Sequence, residues 1–255
     1  MFTPNYDQAD MEHAAKLVSG LLEELQAEAD VGTNVLDLEA QARSYMLSCS
    51  CHPCNLGYQP AWAATPFPSI LCVNVNDEAV HTPARDRILE DGDLVNIDVG
   101  LKYRTACADA ATTFVVGKAT PSQLELLRVT KMALENAVQM VRPGISVGKI
   151  GNEIDRVAKR FGMNPIHGFA GHRIGEEMHL LPTIPHERNT AADQHKLEPG
   201  MVVCIEPMLT TGSGDLTGPT DHWSRSTIEC YGLVAQFESM VLVTKDGHRT
   251  LTSHI

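Results

Sequence analysis

Along the first fifth of the chain, apolar residues recur at helical spacing. Met11, Ala14, Leu17, Val18, Leu21 and Leu22 fall on one face of a helix. The break "GTN" at 32–34 separates this helix from a second amphipathic one reaching residue 48, with Thr33 or Asn34 as its N-cap. Residues 55–68 hold prolines at 60, 66 and 68 and no period, which predicts a loop. "SILCVNVN" (69–76) and "LVNIDVGL" (94–101) read as strands on either side of the charged "ARDRILEDGD". After "FVVGKATP" the helical period returns in "SQLELLRVTKMALENAVQMV", stopped by Pro143-Gly144. It returns again in "SVGKIGNEIDRVAKRFG", where Gly162 is the natural stop. "HGFAGHRIGEEMHLLPTIPH" (167–186), rich in Gly and His, reads as loop. "LEPGMVVCIEPML" reads as a turn and a strand, and "LVAQFESMVLVTKDGHRTLT" as two strands about an Asp246-Gly247 turn.

Helices therefore come in pairs, each pair followed by strands, and the two halves of the chain share this order. Strict strand–helix alternation, the mark of a doubly wound sheet, is missing. The pattern predicts an α+β protein with an internal pseudo-repeat, forming one domain over 1–255.

Composition narrows the class. Apolar residues make up 43% and charged residues 20%, which supports a packed core. The net charge of −12 argues against nucleic-acid partners. No apolar run is long enough for a membrane span, and the opening residues lack a basic-then-apolar leader, so a cytoplasmic protein is expected. Seven scattered cysteines suit reduced thiols. The cluster "CSCHPC" (49–54) has no second Cys/His pair at zinc-finger spacing, and it reads as a turn rich in small residues.

Four acids fall in apolar surroundings: Asp98, Asp109, Glu206 after "VVCI", and Glu238 before "SMVLV". Taken singly, each is a strand-end residue, and His81, His172 and His179 are loop histidines that hydrogen-bond locally. Together they exceed what sheet interiors normally hold, because an ionised carboxylate is costly to bury unpaired. Asp98 and Asp109 are symmetric about Tyr103-Arg104, so a hairpin there would place them roughly opposite each other. Two carboxylates that close repel unless a cation lies between them. An oxygen-rich set with imidazole suits Mn²⁺, Fe²⁺ or Co²⁺, with Zn²⁺ also possible. Two such ions sharing a water make a hydrolytic centre. No serine-nucleophile or phosphate-loop motif is present.

The ordered motifs "NIDVG…D…TF", "GHRIGEEMH", "IEP" and "QFE", with "LGY" at 56–58 and "CVNVNDEAVH" at 72–81, resemble the pita-bread metallopeptidases, and within them the type I methionine aminopeptidases. The resemblance spans nearly the whole chain. It implies two pseudo-symmetric halves around a curved antiparallel sheet, and cleavage of N-terminal methionine from peptides or nascent proteins by a monomer. It implies two divalent metal ions held by Asp98, Asp109, His172, Glu206 and Glu238. Asp98 would chelate one ion, His172 and Glu206 the other, while Asp109 and Glu238 bridge. Glu206 would also act as general base. His81 and His179 would contact substrate and stabilise the tetrahedral intermediate. Tyr58, Phe67, Cys72, Met178 and Trp223 would enclose the methionine side chain.

The chain departs from that pattern around the ligands. Arg173 follows the ligand histidine where glycine is usual, Ala108 precedes Asp109 where glycine is usual, and Ala110-Ala111 follow it. Gly100 and Cys204 replace threonines, Met178 stands where an aromatic is common, and the loop 59–66, "QPAWAATP", is longer. These changes motivate two alternatives: cleavage of another N-terminal residue or small amide, and a weakly catalytic binding homologue.

Overall fold

The structure, a computed structural model, describes residues 2–218, 221–229 and 232–252. Helix α1 (Gln8–Glu28) starts at Asp7, whose carboxylate accepts from the Ala9 and Asp10 N–H groups. That cap satisfies donors the helix itself cannot reach. Its buried stripe includes Met11, Ala14, Val18, Leu21 and Leu22. Helix α2 (Val35–Ser48) is capped by Asn34, which accepts from Leu36 N–H. Three short strands follow: β1 (His52–Pro53), β2 (Cys72–Val75) and β3 (Glu78–Val80). The long hairpin of β4 (Leu94–Tyr103) and β5 (Ala106–Val115) comes next.

The second half repeats this order. Helix α3 (Pro121–Gln139) opens on a capping box between Thr120 and Gln123. Helix α4 (Val147–Arg160) gives way to Gly162, whose φ of +72° reverses the chain. The strands β6 (Asn164–Pro165), β7 (Ala170–Ile174), β8 (Leu180–Pro185), β9 (Val202–Ile205), β10 (Met208–Thr210), β11 (Arg225–Ser226), β12 (Val234–Gln236), β13 (Ser239–Val243) and β14 (His248–Thr250) complete it. No helix among the described residues is long and apolar enough to cross a membrane.

In the first sheet β4 is flanked by β5 on one side and by β1 and β2 on the other, all antiparallel. Helix α1 packs on β4 and β5. The second sheet runs β14-β13-β9-β7-β8, also antiparallel. Helix α4 packs on β8, and α3 reaches β9 and β12. Each half has its own apolar core, one centred on α1 and β4, the other on α3 and α4.

Three expectations are corrected. Residues 167–186 are not loop: they contain β7 and β8, paired with each other and, through β7, with β9. Their glycines and prolines hid the pattern because the sheet, not local propensity, holds these strands. The hairpin turn is centred on Arg104-Thr105, so Asp98 faces Ala111 and Asp109 faces Gly100. The two acids are diagonal neighbours on one face rather than opposite partners. Glu206 and Glu238 are not inside strands: each sits in the break between consecutive strands, β9–β10 and β12–β13.

The two sheets meet at β5. Thr113 Oγ1 donates to the Gln236 carbonyl at 2.6 Å and accepts from Gln236 N–H at 2.9 Å. Glu238 N–H donates to the Ala111 carbonyl at 3.0 Å. These bonds fasten the 236–238 break alongside the aspartate hairpin.

Candidate active site

All twelve residues singled out from the sequence line one cavity of about 480 Å³: Tyr58, Phe67, Cys72, His81, Asp98, Asp109, His172, Met178, His179, Glu206, Trp223 and Glu238. Its floor is acidic. Asp98, Asp109 and Glu238 offer oxygens that lie within 4.8 Å of one another. His172 Nε2 lies 3.7 Å from Asp109 Oδ2 and 3.6 Å from Glu206 Oε1. Gln236 Nε2 donates to Glu206 at 3.2 Å and leans towards Asp98 at 3.4 Å, tying the two carboxylates together.

This floor is electrostatically unfinished. Burial pushes the Asp98 carboxyl up to about 6. Asp109, Glu206 and Glu238 are pushed well above the usual carboxylate range, first by burial and then by neighbouring carboxylates, Asp98 for Asp109, Asp98 and Asp109 for Glu206, and Asp109, Glu206 and Asp98 for Glu238. Among the described residues, buried Asp109 Oδ1 and Glu238 Oε1 have no hydrogen-bond partner. A cation relieves both the repulsion and the unpaired oxygens, so the donor set fits divalent metal. His172 is prepared for the same task. Burial pushes its imidazole down to about 3, so it is neutral. Its Nδ1 lies 3.2 Å from the Arg173 carbonyl, which fixes the tautomer that leaves Nε2 free towards the acids.

The departures from the expected pattern have places too. A Cβ on Gly100 would lie 2.7 Å from Met178 Sδ, 3.1 Å from Cys54 Cβ and 3.2 Å from Asn55 Oδ1. The glycine and the methionine are therefore one coupled change, with the thioether occupying the space of the missing side chain. The Cys204 sulfur lies within 4.8 Å of ligand atoms of His172 and Glu238, where threonine was expected. Arg173 turns away from the cavity, its guanidinium 5.0 Å from the Phe2 ring centre and its Nε donating to Leu181 O at 2.6 Å. The cysteines of "CSCHPC" are all free thiols, and Cys51 Sγ lies against Cys49 O at 3.7 Å.

The walls are apolar and aromatic. Phe67 meets Trp223 edge-on at 5.0 Å, beside Cys72 and Tyr58. Tyr58 Oη and His179 Nδ1 are 2.9 Å apart, and the His179 ring stands 4.4 Å from His172. His81 follows β3 with a φ of +59°, a left-handed backbone uncommon outside glycine that turns its ring to the cavity. Sequence reasoning missed four contributors. Gln236 lies within the quoted "QFE" and went unassigned. His186, fully buried, accepts from Gly171 N–H at 3.0 Å and so steadies the strand carrying His172. Trp62 and Arg225 line the mouth, and no motif marks either.

The model of metallopeptidase family M24 matches residues 9–245. The chain belongs to metallopeptidase family M24. This M24 member is 34% identical over 252 residues to a methionine aminopeptidase of Aquifex aeolicus, covering 97% of each chain. It is similar to a solved methionine aminopeptidase of Thermotoga maritima with a TM-score of 0.90 at 30% identity, covering 99% of this chain and 100% of that one. A prolidase of Pyrococcus furiosus, 23% identical, shares the pita-bread fold with a TM-score of 0.75 over 98% of this chain and 65% of its own.

Proposed function

We propose that this M24 metallopeptidase removes methionine from the N-termini of peptides and nascent proteins. The observation that carries the reading is the cavity itself: an acidic floor with unpaired carboxylate oxygens, closed on one side by an apolar aromatic wall. Such a shape accepts one amino-terminal residue, with its ammonium near the acids and its side chain against the wall. The relatives described above are named for methionine, which favours that residue over another.

Asp98, Asp109, His172, Glu206 and Glu238 would hold two divalent ions. Bound there, the ions supply Lewis acidity, activating water and polarising the carbonyl under attack. Glu206, its basicity raised by burial and neighbouring charge, takes the proton from the attacking water and hands it to the leaving amine. His81 and His179 stand at the cavity rim, where their ring N–H groups can meet the oxygen that gains charge. Tyr58 holds His179 through its hydroxyl and so sets which nitrogen faces the substrate. Phe67, Cys72, Met178 and Trp223 with Tyr58 exclude water around the methionine thioether, to which soft and aromatic groups are suited. On this reading the chain acts as one domain and as a monomer in the cytoplasm, where nascent N-termini are made.

The test is hydrolysis of a panel of Xaa-Ala peptides by protein loaded with Mn²⁺, Co²⁺, Fe²⁺ or Zn²⁺. Methionine release should lead the panel. No turnover with any of these ions, or a preference for another first residue, overturns the reading.

A further inference from the structure

Charge is unevenly spread around the cavity. Its floor carries four acids, yet its lining also includes one arginine, Arg225. In a chain of net charge −12, most described arginines have an acid nearby: Arg85 and Arg87 have Glu78, Arg128 has Glu125, Arg156 has Glu153 and Arg249 has Glu12. Among the described residues, no acid lies within ion-pair distance of Arg225. β11 pairs with β3, Arg225 opposite Val80, and the register shifts between Arg225 and Ser226. The extra residue is Ala79 on β3, so the bulge bends β3 at the point where Arg225 pairs with it. The guanidinium sits close to His81, whose imidazole is pushed down to about 4 by burial first and then by His179 and Arg225.

The extra residues of the 59–66 loop lie at the same rim. The loop is closed at its base, where Phe67 N–H donates to Tyr58 O at 2.8 Å and Gly57 N–H to Phe67 O at 2.9 Å. Its tip carries Trp62, which stays 58% exposed while its ring stands 5.3 Å from Trp223 and 6.0 Å from His81. An indole held at a cavity mouth without being buried has a face left for a ligand.

We propose that Arg225, which lines the same cavity as Trp62, forms a subsite for a carboxylate of the peptide just beyond the bond that is cut. This rests on the aminopeptidase reading. With the substrate's ammonium at the acidic floor, the chain must leave past His81, between Trp62 and Arg225. A peptide with a positive amino end and a negative group further along matches the cavity's own polarity. The planar guanidinium offers paired donors suited to a carboxylate, and among the described residues no acid holds it in an ion pair. The carboxylate can come from an Asp or Glu side chain or from the free C-terminus of a short peptide.

Four peptides separate these sources: Met-Ala-Glu-amide against Met-Ala-Gln-amide, and Met-Ala-Ala free acid against Met-Ala-Ala-amide. In at least one pair, kcat/KM of the metal-loaded protein should favour the carboxylate by about fivefold, the scale of a half-exposed ion pair. The favoured pair names the source. Arg225→Gln should bring the ratio to about one, and Arg225→Lys should keep part of it, with metal content and melting temperature of both variants recording intact fold. Ratios near one in the unaltered protein, or a preference that survives Arg225→Gln, overturn the proposal. Failure to cleave any of the four sinks the aminopeptidase reading instead. Calorimetric binding of the same peptides then still decides the subsite, equal affinity within both pairs overturning it.

Discussion

The two halves of the chain bring acids to one cavity by opposite means. The first half uses regularity. β4 and β5 are unbroken ten-residue strands, and Asp98 and Asp109 share a face only because of their register. The second half uses interruption. His172 sits opposite a register shift whose extra residues, Leu181 and Pro182, lie on β8, and Glu206 and Glu238 sit where strands stop and restart. A continuous strand alternates its side chains between faces, so it delivers residues two apart and no closer. A bulge or break frees the direction of a single side chain. A donor set converging from several directions needs both devices.

If the halves contribute equally, removing one charge from either should be ruinous. Asp109→Asn and Glu238→Gln should each lower kcat/KM for a Met-Ala peptide by roughly a thousandfold or more, losing several kcal/mol of transition-state stabilisation. A Glu238→Gln enzyme keeping a tenth of its rate would show that the charge of Glu238 is not needed at the site.

Next in size is the hairpin's tolerance of bulk. Gly100→Ala drives a Cβ towards Met178 Sδ and should destabilise by about 1–3 kcal/mol in chemical denaturation, the usual scale for overpacking. Shortening Met178 to Ala in the same chain should recover much of that loss, and two changes that merely add would refute the coupling.

The smallest effect concerns pH. Asp98 titrates at about 6 because burial raises it, whereas His172 is pushed down to about 3. Below about pH 6 a proton on Asp98 competes with metal, while His172 already stands neutral. Metal affinity should therefore fall as pH drops, Asp98 adding its proton below about 6 to those that Asp109, Glu206 and Glu238, raised well above the usual carboxylate range, also take up, by up to tenfold per unit for each proton displaced. The rise in melting temperature on adding Mn²⁺ reads this directly. A metal-induced rise equal at about pH 5 and pH 7 would remove Asp98 from the ligand set.

The sequence made the regular parts of this picture readable and left the irregular ones obscure. Helices α1 to α4 announce themselves through apolar period and caps such as Asn34 and Thr120. The four acids stood out because carboxylates in apolar company are rare, while the histidine roles and the five wall residues could be named only through the resemblance of the ordered motifs. The exact placement of the acids could not be read, since one residue of turn decides whether Asp109 faces Asp98 or lies diagonal to it. β7 and β8 were hidden by Gly171, Pro182 and Pro185, which suit a loop unless a sheet holds them. Gly171 in particular is demanded by the fold: a Cβ there would collide with the Cys204 carbonyl on the next strand. Arg225 was invisible because its direction depends on pairing with Val80, a partner far away in the chain.

The clasp between Thr113 and Gln236 joins residues 123 positions apart. Closing so long a loop is slow and entropically costly, and nothing local can rehearse it. Half the donor set therefore reaches its position only after the C-terminal strands have been made and docked. A hydrolytic centre assembled this way is silent in every incomplete chain, so the act of finishing the fold is also what arms the enzyme.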